Sequence, residues 1–147
     1  MPLIYADTSV LFAHFHPCDE FHDRVSALVQ KHAPDFVYWN WLRFELRHNL
    51  RQANVDTDGA AAWKALRAAE RTTNRLRWQT ELSTERLIDA ADELSADKIP
   101  VCGSGDVLHV AAARRVHLLV GLDEFWTCDA AQAVLAEAAG LPTVRLK

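Results

Sequence analysis

Two periods alternate along this chain. Short apolar runs bounded by turn residues stand between longer segments in which apolar residues recur at every third or fourth position. The first pattern reads as a strand and the second as one face of a helix. Leu3, Ile4, Tyr5 and Ala6 form the first run, and residues 10–15 the first helix. His14-Phe15-His16-Pro17 breaks that pattern, after which Asp19 is placed to cap a helix reaching about residue 33, with Val25, Leu28 and Val29 as its buried stripe. Asp35 to Tyr38 predicts a second strand, and Asn40 a cap for a helix to about residue 53. Leu42, Leu46 and Leu50 mark the buried side of that helix, Glu45 and Asn49 lie beside them, and Arg43, Arg47 and Arg51 form a separate row.

Asp56-Thr57-Asp58-Gly59 predicts a turn and cap before a helix over 60–71 that carries Trp63 and Leu66. Apolar and polar residues alternate over 76–82, the period of a half-buried strand. Ser83 then caps an amphipathic helix over 85–96, through Leu87, Ile88, Ala91 and Leu94. A loop over 99–105, with Pro100, Gly103 and Gly105, leads to an alanine-rich helix opened by Asp106. Glu124 to Thr127 predicts a strand, Asp129 precedes a further helix, and residues 143–146 close as the last strand. Strands alternating with helices predict an α/β protein. The expectation is a single domain over residues 1–147, in three α/β/α layers, with a short, mostly parallel sheet of about four to five strands and about seven helices.

Composition narrows the class. At 147 residues, 50% of them hydrophobic and 24% charged, the chain is an ordinary globular domain with enough residues for one core. It contains no apolar run of the ~18–20 residues that span a bilayer, and Met1-Pro2-Leu3 lacks a basic leader. No membrane partner is expected, and the cytoplasm is the default compartment. Cys18, Cys102 and Cys128 are odd in number and form no C-x-x-C pair, so they read as reduced packing residues. The net charge of −4 argues against a protein that coats nucleic acid, but not against an enzyme that grips a polyanion locally.

The candidate chemistry sits at the junctions. Asp7, Asp106 and Asp129 each stand where a strand or loop passes into a helix. Ligands of open α/β sheets bind beyond the carboxyl ends of the strands. Asp7 and Asp129 fall there by position, Asp106 opens a helix that can face the same edge, and Glu45 is the natural fourth member. Carboxylates meeting within ~5 Å repel by roughly 3 kcal/mol per pair at an effective dielectric near 20, so such a cluster calls for a cation. Hard oxygen donors without Cys or His select Mg²⁺ or Mn²⁺ over zinc. Each residue alone also has a plainer reading: an aspartate before a helix is commonly an N-cap, Glu45 a solvated helix residue, and Thr8, Ser9 and Thr127 capping hydroxyls. Only convergence of all four acids favours the metal site.

Over essentially its whole length the chain resembles the PIN-domain nucleases, and within them the toxin subunits of VapBC-type toxin–antitoxin pairs. The resemblance rests on an ordered set: Asp7-Thr8-Ser9-Val10-Leu11, Phe44-Glu45-Leu46, Asp106-Val107-Leu108-His109-Val110-Ala111-Ala112-Ala113, Phe125-Trp126-Thr127-Cys128-Asp129, Gln132, and Leu135 through Leu141. It implies that Asp7, Glu45, Asp106 and Asp129 coordinate one or two Mg²⁺ or Mn²⁺ ions, and that Ser9 and Thr127 orient those carboxylates or the attacking water. It further implies an endoribonuclease that hydrolyses RNA, often tRNA or rRNA, and leaves a 5′-phosphate. A cognate antitoxin and a homodimer are the implied partners. The chain departs from the family pattern at Cys128, where an apolar or aromatic residue is frequent, and at Gly105, where a larger residue is common.

Other features admit two readings each. Arg43, Arg47 and Arg51, and then Arg67, Arg71 and Arg75, form basic rows that either steer RNA phosphates or are solvated helix faces. The five tryptophans serve a core, a partner surface or base stacking. His14 and His16 would suit a metal-independent ribonuclease, although loop histidines without a catalytic role are the commoner case. His109 lies one turn after Asp106 and reads as a hydrogen-bonded helix histidine or a substrate contact, and Cys128 as a packed residue or an oxidisable thiol near the metal. Three competing classes remain: a PIN-domain nuclease for RNA processing, a PIN-like domain that binds RNA or a partner without cutting, and an α/β phosphatase. The aspartate-nucleophile phosphatases want a second acid two residues after the first, where this chain has Ser9.

Overall fold

The computed structural model describes residues 1–53, 57–72, 75–96 and 102–147 of the chain. Among these residues the order is β1 (Leu3–Ala6), α1 (Thr8–Phe15), α2 (His22–His32), β2 (Asp35–Tyr38), α3 (Asn40–Ala53), α4 (Thr57–Thr72), β3 (Leu76–Trp78), α5 (Thr84–Ser95), α6 (Ser104–Val120), β4 (Glu124–Thr127), α7 (Ala130–Ala138) and β5 (Thr143–Arg145). The five strands form one all-parallel sheet in the order β3-β2-β1-β4-β5. Parallel strands need crossover helices, which is why the two hydrophobic periods alternate along the chain.

The strand order reverses direction after β3. With the right-handed crossovers usual for such connections, that reversal sends the later helices to the opposite face of the sheet. The contacts agree: α1 packs on α2, α3 and α4, whereas α6 packs on α5 and α7. This is the expected three-layer α/β/α arrangement. The reversal also places β1 beside β4, with Ile4 opposite Glu124 and Ala6 opposite Trp126. Such a switch point leaves a crevice beyond the carboxyl ends of the two strands.

The central strands are apolar through their middles because both of their faces are covered, with polar residues only at their ends, Asp35 in β2 and Glu124 and Thr127 in β4. Ile4, Tyr5, Phe36, Val37, Phe125 and Trp126 are all buried. Tyr5 stacks on Phe125 and Phe36 meets Trp126 edge to face, contacts worth about 0.5–1.5 kcal/mol each beyond their burial. The first turns of α6 are buried nearly all round, from Val107 to Ala113. Its run of alanines lets the helix lie close against its neighbours.

The edges differ from expectation. The strand predicted over 76–82 pairs only over Leu76–Trp78, and Leu82 is buried beyond its end. The last strand stops at Arg145. The carboxylate of Asp19 accepts from Phe21 N at 2.9 Å, a local turn rather than a helix cap, so α2 starts at His22. Ile88 is 60% exposed, because the buried face of α5 runs through Leu87, Ala91 and Leu94. Asp56 and the predicted loop segment up to residue 101 lie outside the described residues.

Four arginines of the two rows serve the fold. Arg47 is ion-paired and hydrogen-bonded to Glu70 on α4, Arg67 lies 3.5 Å from the same carboxylate, and Arg43 and Arg51 stack over Trp78 and Trp63. His14 and His16 sit at the far end of α1 from Asp7. His14 is packed against Phe15 and Phe36, and burial lowers its pKa to about 4. His16 Nδ1 accepts from Cys18 N at 3.3 Å. Neither histidine faces the crevice, so the metal-independent reading has no pair of bases at the site.

Candidate active site

Three backbone events bring three aspartates to the crevice. Asp7 N donates to Trp126 O at 3.1 Å, the last rung between β1 and β4, and fixes Asp7 at the strand end. Its side chain caps α1, with Oδ1 accepting from Val10 N at 3.0 Å and from Ser9 Oγ at 2.6 Å. Asp129 caps α7 in the same way through Gln132 N at 2.7 Å. Asp106 does not itself cap α6. It stands in the first turn, and its carboxylate reaches back to the N–H of the cap residue Gly103, half of a capping box. The plain capping readings therefore hold alongside the sharper one, since a cap uses only part of a carboxylate.

Glu45 arrives from α3. One of its oxygens, Oε1, accepts a hydrogen bond from Thr8 Oγ1 and lies 2.7 Å from His109 Nε2. The other, Oε2, faces Gly105. A side chain built at Gly105 would bring its Cβ to 3.1 Å from that oxygen. The glycine thus makes room for the Glu45 carboxylate, and it explains one departure noted in the sequence. Gly105→Ala is expected to lower any activity of the site severalfold. Stability should hold or rise by up to about 1 kcal/mol, because alanine suits the helix better than glycine. Cleavage assays beside thermal melts separate the two effects.

Thr127 joins the parts. Fully buried, its hydroxyl lies 3.1 Å from Asp7 Oδ2 and 2.6 Å from Gln132 Oε1, and it accepts from Asp129 N at 3.0 Å. Gln132 Nε2 continues to Asp106 O at 3.2 Å. Ser9 and Thr127 therefore hold both oxygens of Asp7. Thr8, Gln132 and His109 also take part: Thr8 bonds the Glu45 carboxylate where a capping hydroxyl was expected, and His109 is the hydrogen-bonded helix histidine of one of its two readings. The three-residue step from Asp106 to His109 was the one sign that both share a helix face.

Asp7, Thr8, Ser9, Glu45, Asn49, Asp106, His109 and Asp129 line one cleft of about 330 Å³. Burial raises the pKa of Asp7, partly offset by its hydrogen bond from Ser9 and by His109. Burial and the neighbouring charges of Asp129 and Glu45 likewise raise Asp106. Burial acts upward on Glu45 too, but the bonds from His109 and Thr8 outweigh it and hold that carboxyl below its usual range. Asp106 thus feels Asp129 and Glu45 as charges. Cys128 stands outside the cleft lining, and burial pushes its thiol up to about 11, so it carries little thiolate to oxidise.

Among the described residues, no three His, Cys, Asp or Glu side chains already form a metal cage. The donor set nevertheless fits a hard divalent ion: four carboxylates line the cleft, and its one imidazole has both nitrogens engaged by other side chains.

Similarity to a solved structure fixes the architecture. The chain is 21% identical to VapC20 of Mycobacterium tuberculosis, a sarcin–ricin loop cleaving toxin, with a TM-score of 0.69 over 97% of this chain and 99% of the other. The chain has a PIN-like fold. No family model and no curated protein matches its sequence. At this identity the likeness establishes the shared PIN-like fold, and residue roles rest on the cleft itself. No helix among the described residues is long and apolar enough to cross a membrane.

Proposed function

We propose that this protein is the toxin of a VapBC-type pair, an endoribonuclease that hydrolyses RNA with the help of Mg²⁺ or Mn²⁺. The observation that carries the reading is the meeting of Asp7, Glu45, Asp106 and Asp129 in one cleft, in a PIN-like fold shared with an RNA-cleaving toxin. These four residues would hold one or two divalent ions. When bound, such ions acidify water and neutralise phosphate charge. Left to themselves, four carboxylates repel a phosphodiester, so the cleft is suited to RNA only with cations in place. Ser9, the Val10 N–H and Thr127 fix the direction of Asp7, and Thr8 and His109 that of Glu45. Gln132 links Thr127 to the backbone of Asp106. Arrangements of this kind set metal affinity as much as the ligands themselves do.

The same reading makes tRNA or rRNA the substrate class, a cognate antitoxin and a second copy of the chain its partners, and the cytoplasm its compartment. Induced expression in a bacterium without the antitoxin tests it. Wild-type protein is expected to arrest growth and yield discrete cleaved RNAs, while Asp106→Asn at equal abundance leaves growth normal. Arrest by both proteins would place toxicity outside the carboxylate cleft.

A further inference from the structure

Behind Glu45 lies a chain of buried polar groups that neither the ion site nor the capping of helices requires. Trp39 Nε1 donates to Tyr5 Oη at 2.9 Å, Tyr5 Oη lies 2.7 Å from His109 Nδ1, and His109 Nε2 lies 2.7 Å from Glu45 Oε1. Trp39, Tyr5 and His109 are at most 1% exposed. The three come from the residue that follows β2, from β1 and from α6, so the line crosses the middle of the domain. Each group in it would cost free energy if left unpaired, and an apolar triad would fill the same space without that demand.

The donors and acceptors permit one fully satisfied direction. The indole N–H of Trp39 can only donate, so the Tyr5 oxygen accepts from it. At the other end the Glu45 carboxylate can only accept, so His109 Nε2 carries a hydrogen. The hydroxyl hydrogen of Tyr5 then has one partner left in the line, His109 Nδ1, which must accept. If Nδ1 carried a hydrogen instead, the Tyr5 oxygen would receive two donors and its own hydrogen would point at nothing. Trp39 and Tyr5 thereby select the Nε2–H tautomer of His109 from behind, as an outer hydrogen bond does for many working histidines.

We infer that His109 is a positioning residue, locked by Tyr5 and Trp39 so that its Nε2–H, together with Thr8, clamps Glu45 Oε1 and turns Oε2 into the cleft. The orientation of Oε2 has independent support, since it is the oxygen that faces Gly105, one residue before Asp106. His109 is too deeply buried to touch RNA, and it acts through Glu45. This assignment rests on the proposed nuclease reading for the use made of Glu45, although the relay itself does not.

Two readouts test it on the intact protein. In metal-free wild type, nitrogen-15 NMR of His109 is expected to show Nε2 protonated and Nδ1 bare. Calorimetric titration with Mn²⁺ is expected to show affinity lowered 10–100-fold in His109→Leu and largely restored in His109→Gln, whose amide can donate to Glu45. In RNA cleavage the leucine variant should lose kcat with KM for RNA unchanged. A protonated Nδ1, or a folded His109→Leu that binds Mn²⁺ and cleaves like wild type, overturns the assignment. So does equal weakening by Gln and Leu, which marks a packing role only. Should wild type neither bind Mn²⁺ nor cleave RNA, the nuclease reading fails, and the tautomer alone then upholds or overturns the relay.

Discussion

In metal-free buffer, Asp7→Asn is expected to melt at or above the wild-type temperature while losing RNA cleavage by more than about 100-fold. The first half follows from burial. Asp7 is 3% exposed, and taking its carboxylate out of water raises its pKa, so the ionised acid costs the fold stability. Asparagine is as good an N-cap as aspartate and keeps an oxygen for Val10 N and Ser9 Oγ. Its amide can turn a donor toward Thr127 Oγ1, where the charge had been. The sign with pH is fixed. A carboxyl whose folded pKa is raised stabilises the native state at low pH, and that contribution is lost as pH rises through the folded value. The advantage of the asparagine variant should therefore grow from about pH 4 upward and reach its full size once wild-type Asp7 is ionised. Divalent metal should reverse the order. A ligand bound only by the native state stabilises it by RT ln(1 + [L]/Kd), about 2.7 kcal/mol at one hundred times Kd, and Asp7→Asn should gain far less. The loss of cleavage follows because groups that merely orient metal ligands are worth 10–100-fold, and Asp7 is itself one of the proposed ligands. Melting curves over pH, with EDTA and with Mn²⁺, check both halves. A variant that is less stable than wild type without metal and equally stabilised by Mn²⁺ would remove Asp7 from the site.

Thr127→Val is expected to lower cleavage 10–100-fold and stability by about 1–3 kcal/mol. Valine matches threonine in shape but has no hydroxyl, and the hydroxyl of Thr127 meets Asp7, Gln132 and the N–H of Asp129 in a fully buried place. The substitution leaves three polar groups short of a partner and releases the link between two of the acids. Thr127→Ser restores the hydroxyl and should recover most of the activity, giving up only the methyl burial of about 1 kcal/mol. Wild-type cleavage by a folded Thr127→Val protein would mean that this hydroxyl does not organise the acids.

What could be read from the sequence follows from where each signal originates. The strands Leu3–Ala6, Asp35–Tyr38 and Glu124–Thr127 were legible to the residue, because central strands covered on both faces carry a continuous apolar run between polar ends. The edge strand was overextended, since Leu82 is buried by packing outside the ladder and periodicity alone does not distinguish the two. Ile88 was assigned inward on hydrophobicity, although it lies about 100° around the helix from Leu87 and faces solvent. The positions of the three aspartates were readable because a helix start after a strand end leaves a mark. Glu45 leaves a fainter one: its early place on the helix after the second strand made it the natural fourth acid, but taken alone it reads as a solvated helix residue. The partners of His109 were hidden for a different reason. Tyr5 and Trp39 are distant in sequence and look like ordinary core aromatics, and only the topology puts their polar ends in line with Glu45.

The central claim is that four carboxylates in one cleft make this chain a metal-dependent ribonuclease. Cleavage of total cellular RNA by the purified protein, with Mg²⁺ or Mn²⁺ and again with excess EDTA, puts it to the most direct trial. Discrete products bearing 5′-phosphates are expected with metal, and none with EDTA. Products that persist undiminished in EDTA, or intact RNA under every metal condition with protein free of antitoxin, would contradict it.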